Sequence, residues 1–358
     1  MNNIFIIGTR AQLIKVAPVI KTFENNNLPV IFIMTGQHND TMSDLIQEFG
    51  IQTSPLSLIK NKEHASIIAL LLWIPNILML LIKSLKKFSN AYVFVHGDTL
   101  TTLLSTLAAK LCNHKVVHLE SGLTSNHLFN PFPEEIIRRI VFKLTNIACC
   151  PNEIDIKNMV KYPKVKLINT QGNSILDSIQ YLKIGKDIVK ENNSLLISIH
   201  RFQNIYNKER LSEISDMLIQ LSNQFKIYFV LHPATLKKLK AYNLLSKLEM
   251  QENINLLPRM TYKNFLNLAL STECVITDGG SNQEELAFFG HPTVILRETT
   301  ERQDGIGENA ILLNDPKVVY EKINQGIYLD LRKERKVLST PPSRVICQYF
   351  DNLGKNER

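Results

Sequence analysis

His96, Asp98, Glu120, Glu134, Glu135 and Arg138 fall within one stretch of the 358-residue chain, and their types suit proton transfer and charge stabilisation. The stretch reads YVFVHGDTLTT and then KVVHLESGLTSNHLFNPFPEEIIRR. Two apolar runs, 92–95 and 115–119, each end in a polar cluster, with helix-like sequence between them. That is a strand–loop–helix–strand unit, in which polar side chains gather at the C-terminal ends of parallel strands. Each residue also has a purely structural explanation. Asp98 before two threonines would cap a helix. Glu134 and Glu135 after Pro133 would favour a helix N-terminus.

The rest of the chain supplies elements to position such a site. Residues 3–7 are an apolar strand; GTR follows, and AQLIKVAPVIKTFE repeats with helical period. Gly8 allows a tight turn, and Arg10 and Lys15 lie near the helix start, where free N–H groups suit a phosphate or another anion. Residues 28–34 form the next strand, with Gln37 and His38 at its end. Residues 64–85, HASIIALLLWIPNILMLLIKSL, are very apolar. Pro75 breaks the run, so a buried helix pair between sheet and surface is expected. The alternative is an interfacial helix touching a membrane through 67–87, with Lys83, Lys86 and Lys87 as its basic edge.

Strands over 146–150 and 166–169 follow, and a hinge is expected near Gly172 and Asn173. A second alternating series then begins. Strand 195–199 ends in His200 and Arg201, 226–231 in His232, and 274–277 in DGGSNQEEL, a glycine turn into a helix that suits a diphosphate. A last helix over 340–352 is expected to return to the first domain. The pattern predicts an α/β fold of two doubly wound parallel-sheet, Rossmann-like domains facing a cleft. The domains are expected at 1–170 and 171–335, with 336–358 crossing back.

Composition narrows the function classes. Apolar residues are 44%, charged residues 21%, and the net charge is +8, which fits a soluble protein with an anionic ligand. No Lys/Arg block or aromatic–basic interleaving marks a nucleic-acid partner. Five cysteines, at 112, 149, 150, 274 and 347, show no metal-ligand spacing and read as reduced thiols. With no signal-peptide pattern at the N-terminus, a cytoplasmic protein is expected.

Nine motifs occur in order: GTRAQLIKVAP, TGQHND, VHGDTLTT, HLESGL, PFPEEIIRR, QGNSILD, HRFQN, TDGGSNQEE and TTER. Over residues 4 to about 315 the chain resembles the UDP-N-acetylglucosamine 2-epimerases, which have a GT-B type fold. The resemblance implies inversion at C2 of a UDP-sugar. UDP is eliminated to give a 2-acetamidoglucal and adds back with protonation on the other face, yielding UDP-N-acetylmannosamine-type sugars for surface polysaccharide synthesis. It implies no metal or nicotinamide cofactor, and a homodimer is expected. By the same resemblance, Asp98, Glu120 and Glu134 are the acid/base carboxylates and His200 accompanies the departing UDP. Arg10, Lys15 and Arg138 are the cationic positions. Gly279, Gly280, Ser281 and Glu285 form the nucleotide turn, with Glu285 at the ribose and Phe265 near the uracil; Arg302 and His232 complete the substrate set.

The chain departs from that pattern at Ala11-Gln12 (Pro-Glu in the family), Thr124 (Arg), Ile137 (Asn), Phe202-Gln203 (Arg-Glu) and Gly279-Gly280-Ser281 (Ser-Gly-Gly). Two alternatives therefore stand beside the non-hydrolysing epimerase. One is a hydrolysing relative that releases a free N-acetylmannosamine-type sugar. The other is a membrane-peripheral GT-B glycosyltransferase, which would account for the apolar run and the basic charge together.

Overall fold

Short runs rich in Val, Ile and Phe become the central strands, buried on both faces, and shorter, more exposed strands form the sheet edges. In the first unit these are β1 (Asn3–Ile7), β2 (Val30–Met34), β3 (Leu56–Ser57), β4 (Tyr92–His96), β5 (Lys115–Leu119), β6 (Ile147–Cys150) and β7 (Lys166–Asn169). They lie in the order β3-β2-β1-β4-β5-β6-β7, and every pairing is parallel. β1 and β4 are buried along their whole length, as strands covered by helices on both sides must be. The chain winds from β1 out to β3, crosses back to β4 and winds the other way. The reversal between β1 and β4 opens a crevice beyond their C-terminal ends.

The second unit repeats the scheme with β8 (Ser194–Ser198), β9 (Lys226–Val230), β10 (Ile254–Leu257), β11 (Cys274–Thr277), β12 (Thr293–Leu296) and β13 (Ala310–Leu313). Their order is β10-β9-β8-β11-β12-β13, again all parallel, with the reversal between β8 and β11. The two doubly wound parallel sheets expected from the sequence are both present. The computed structural model describes residues 1–36, 42–59, 67–128, 132–300, 303–338 and 340–356; of residues 67–72, 281 and 356 the backbone alone is described.

The units are Met1–Leu182 with Leu338–Arg358, and Lys183–Val337. The division falls after Leu182, not at the Gly172–Asn173 turn, because the helix Ile175–Tyr181 is fastened to the first unit. Ser178 Oγ donates to the Ile14 carbonyl at 2.5 Å, and the Tyr181 ring stacks on Phe49. Asp177 Oδ2 accepts the Ser343 N–H at 2.5 Å, at the head of the last helix, Pro342–Asn356. That last helix inserts Phe350 among Phe23, Tyr92 and Phe94, with ring centroids 4.9–5.9 Å apart. Phe5 stacks on Phe94 at 4.3 Å to complete the cluster.

The apolar stretch is one helix, Ile67–Leu85, rather than the expected pair. A proline fixes φ at a helix-compatible value and removes one N–H. Pro75 lies on the exposed side, where water can replace the missing bond. Trp73, Ile77, Leu81 and Leu85 recur at helical spacing and are buried with Ile4, Val93 and Leu104. Met79 and Lys83 face outward. Among the described residues no helix is long and apolar enough to cross a membrane. All five cysteines are free, and burial pushes the Cys150 thiol up to about 12.

Replacing Phe350 with Ala empties the centre of the aromatic cluster and should cost the first unit about 3–5 kcal/mol. Trp73 is the single tryptophan in the chain and lies in that unit, so its fluorescence during urea unfolding reads the loss directly. An unshifted midpoint would show that the last helix is not part of that unit's cooperative core.

Candidate active site

The turn after β1 is built around Gln12. Thr9 caps the helix Arg10–Asn25, and Thr9 and Gln12 form a capping box. Gln12 Oε1 accepts the N–H groups of Gly8 (2.9 Å) and Thr9 (3.1 Å). Its Nε2 reaches the His96 carbonyl at 2.7 Å and the hydroxyls of Thr99 and Thr102 at 2.9 and 3.0 Å. The side chain of Gln12 thus takes the N–H groups of Gly8 and Thr9, just ahead of the helix. Gly8 is required by closeness rather than by a left-handed backbone, since a Cβ there would collide with the Thr101 side chain. The two nearby cations are engaged with carboxylates: Arg10 with Asp44, and Lys15 with Glu120, both at 2.6 Å.

Glu120 lies just past β5 with φ +57°, an uncommon conformation for a residue with a side chain. Lys15 Nζ and Asn173 Nδ2 each donate to Oε1 at 2.6 Å, and His96 Nε2 stands 3.5 Å from Oε2. His118 fixes the loops on either side. One ring nitrogen faces the Gly97 carbonyl at 2.8 Å and the other faces Ser121 Oγ at 2.9 Å. A carbonyl can only accept, so Nε2 donates to Gly97 and Nδ1 accepts from Ser121. That is the neutral tautomer, and burial holds the pKa of His118 down at about 4.

Asp98 is not a helix cap. Thr99 caps Leu100–Leu111, accepting from Thr102 N, and leaves the Asp98 carboxylate to Arg138 Nη2 at 2.5 Å. Arg138 also contacts Glu135, which is wholly buried and takes further bonds from Arg139, Thr124 and Ser125 N. Burial alone would raise the Glu135 pKa; these hydrogen bonds and the Arg138 charge override it and hold it below the usual carboxylate value. Glu134, in the first turn of Glu134–Leu144, is half-buried.

In the second unit, Asp278 at the end of β11 is fully buried. It accepts from the backbone N–H groups of His200 and Arg201, and from Asn204 Nδ2 at 3.0 Å. His200 Nδ1 lies 3.3 Å from Asp278 Oδ1, and the His232 ring is 5.5 Å from that of His200. Gly279 and Gly280 begin the helix Gly280–Phe289, and a Cβ on Gly279 would stand 3.2 Å from the His200 ring. Phe265 is half-buried on Tyr262–Ser271. Glu285 is only 2% exposed. Burial, with that carboxylate beside it, pushes the Tyr262 phenol well above its usual range. The side chain of Ser281 is not described, and Arg302, Gln37 and His38 lie outside the described residues.

The first unit thus brings Lys15, Asp98, Glu120 and Arg138 to the strand ends around its switch point; the second brings together His200, His232 and the glycine turn. The supporting residues Gln12, His118, Asn173 and Asp278 were not singled out as site residues from sequence. A polar residue just inside or after a strand end marked three of them, and T-x-x-Q marked Gln12.

Two Rossmann-like units with these strand-end groups define an α/β enzyme of GT-B type. A family profile described as UDP-N-acetylglucosamine 2-epimerase matches residues 21–345. The UDP-N-acetylglucosamine 2-epimerase of Methanocaldococcus jannaschii is 31% identical over 348 residues, covering 92% of both chains. A structure of that archaeon's enzyme in complex with UDP-GlcNAc and UDP superposes with TM-score 0.80 at 29% identity, covering 99% of this chain and 100% of the other. The Neisseria meningitidis enzyme bound to UDP-GlcNAc gives TM-score 0.81 at 26% identity, covering 98% and 100%. The chain belongs to the UDP-N-acetylglucosamine 2-epimerase family.

His118 makes the fold acid-sensitive. Below pH 6.5 the unfolded imidazole takes up a proton that the folded one refuses until about pH 4. Stability should therefore fall across that window by roughly 3 kcal/mol. His118→Gln should be less stable than the wild type at pH 7 yet lose less on acidification, as measured by urea midpoints at pH 7 and 4.5.

Proposed function

We propose that the chain is a non-hydrolysing UDP-N-acetylglucosamine 2-epimerase. Asp98 and Glu120 carry this reading: they stand at the ends of the adjacent strands β4 and β5, each against its own cation. Related enzymes were solved with UDP-GlcNAc bound.

In the proposed reaction a carboxylate removes the C2 proton while the C1–oxygen bond to UDP breaks. The electron pair of the C–H bond becomes the C1–C2 double bond of a 2-acetamidoglucal, and UDP leaves with the electrons of the C–O bond. Protonation of C2 on the opposite face and re-formation of the C1–oxygen bond give the inverted UDP-sugar. Carboxylates suit both proton steps, and fixed charges suit the positive character that develops at C1. Asp98, Glu120 and Glu134 are assigned to proton transfer, and Lys15 and Arg138 to holding the first two carboxylates. Arg10, which holds Asp44, is assigned to orienting the neighbouring helix start.

His200, seated on Asp278, is assigned to the leaving diphosphate. Gly279, Gly280, Ser281 and His232 are assigned to its surroundings, Phe265 to the uracil and Glu285 to the ribose. Free cysteines accord with work in a reducing compartment, and a homodimer in the cytoplasm completes the proposal.

Turnover of UDP-GlcNAc in D₂O, followed by NMR, tests the reading. Deuterium at C2 of an intact UDP-sugar is expected; free sugar plus UDP would indicate the hydrolysing reaction instead. Asp98→Asn, Glu120→Gln and Glu134→Gln should each slow exchange by about 10²-fold or more. Near-normal C2 exchange in all three would remove the carboxylates from the mechanism.

A further inference from the structure

In a parallel sheet with returning helices, the helices end and the next strands begin at the edge opposite the strand C-termini. For β4–β7 that edge is assembled from four segments, 83–92, 110–116, 143–147 and 160–166. Hydrogen bonds tie them side by side. His114 Nε2 donates to the Leu85 carbonyl at 3.1 Å, and Lys115 N donates to the Ala91 carbonyl at 3.0 Å. Asn146 joins the rest: its Oδ1 accepts Lys110 Nζ at 2.7 Å and Val116 N at 2.9 Å, and its carbonyl accepts Lys166 N at 2.9 Å. At ~4.8 Å per strand spacing, the edge is about 15 Å across.

Together the four segments carry nine lysines and no Asp, Glu or Arg. Lys83, Lys110 and Lys143 stand in the last turns of their helices, where a cation complements the helix dipole. Lys86, Lys87, Lys115, Lys161, Lys164 and Lys166 lie beyond the helix ends and are all exposed. Among the described residues, the lysines and arginines of this unit in ion pairs are Arg10, Lys15, Lys21, Arg138, Arg139 and Lys355, none of them in these segments. Two aliphatic side chains stand among the lysines: Leu111 is 65% exposed and Val160 64%.

This composition indicates the partner. Arginine's planar fork recognises individual phosphates, whereas lysine is a hydrated point charge suited to diffuse attraction. A single-stranded nucleic acid calls for exposed rings that stack on bases, and Phe88, Tyr92 and Tyr162 at this edge are half-buried or buried. A duplex calls for an element that enters a groove, and this edge is made of helix ends and turns. Exposed aliphatic side chains set among lysines instead match the boundary between anionic headgroups and acyl chains.

We propose that this edge of the first unit docks on the surface of an anionic lipid bilayer, with the lysines at the headgroups and Leu111 and Val160 at the acyl boundary. The helix Ile67–Leu85 takes part through its C-terminal end, while its buried side stays packed on the sheet. Asp98 and Glu120 follow the opposite ends of β4 and β5, so docking leaves them turned away from the bilayer. The surface is separate from the strand-end residues and does not depend on the reaction assigned to them.

Co-sedimentation of the full chain with vesicles tests this. Vesicles of phosphatidylcholine with about 30% phosphatidylglycerol should carry the protein down, and pure phosphatidylcholine vesicles should not. Binding to the anionic vesicles should fall ~10-fold or more between about 0.1 and 0.5 M salt. Lys86→Glu, Lys161→Glu and Lys164→Glu together should weaken it ~10-fold or more and leave turnover of UDP-GlcNAc in solution unchanged. The same charge change made by Lys237→Glu, Lys240→Glu and Lys247→Glu, exposed positions of the second unit, should weaken it less than ~3-fold. Equal losses in the two triple variants would make net charge the cause and overturn the proposal. So would absence of sedimentation with the anionic vesicles, or tighter binding to a DNA duplex at equal phosphate concentration. A failure of epimerisation would appear as absent turnover and would leave the vesicle outcomes untouched.

Discussion

The buried ion pair between Lys15 and Glu120 holds the strand-end region of the first unit in place. The two side chains are 6% and 10% exposed and meet at 2.6 Å. Charges taken out of water are favourable only when their geometry is good and their other hydrogen-bonding sites are filled. Here Asn173 and His96 attend the same carboxylate. Lys15 comes from the helix after β1, His96 from the end of β4, Glu120 from the end of β5 and Asn173 from the segment after β7. One side chain therefore gathers chain segments from across the sheet. The left-handed backbone at Glu120, which costs roughly 1–2 kcal/mol, persists because these contacts over-determine it.

The inner strands were legible because a parallel strand covered on both faces must be an unbroken apolar run; the edge strands β3 and β13, only partly covered, were not. Partnerships were not legible. Lys15 and Glu120 are 105 positions apart, and nothing local in either predicts the other. The capping box at Thr9 and Gln12 is a local pattern, but the reach of Gln12 to the His96 carbonyl spans 84 positions. That long bond makes the turn a joint between the β1 and β4 ends. Asp98 and Thr99 are neighbours, and both are good caps; the choice fell to Thr99 because Arg138 stands opposite Asp98. Pro75 misled for another reason: a proline ends an isolated helix more reliably than one held by Trp73, Ile77 and Leu81 against a sheet.

The departures from the family pattern have local replacements. Gln12 replaces a charged residue with an amide that both donates and accepts, which its five partners require. Thr124, where an arginine was expected, donates its hydroxyl to Glu135, while Arg138 and Arg139 supply the charge. Gly279, where a serine was expected, leaves the His200 ring close against the backbone. Each of these loops is thus anchored by the residues present in it.

The first unit is discontinuous in sequence: it begins the chain, yields to Lys183–Val337, and resumes at Leu338. Phe350, from the resumed portion, fills a cluster with Phe23, Tyr92 and Phe94. On the ribosome, Lys183–Val337 therefore leaves the exit tunnel before the piece that closes the earlier half. The later-encoded unit can complete its core first, while the earlier one waits with an uncovered aromatic surface. The aromatic surface made earliest is thus the last to be covered.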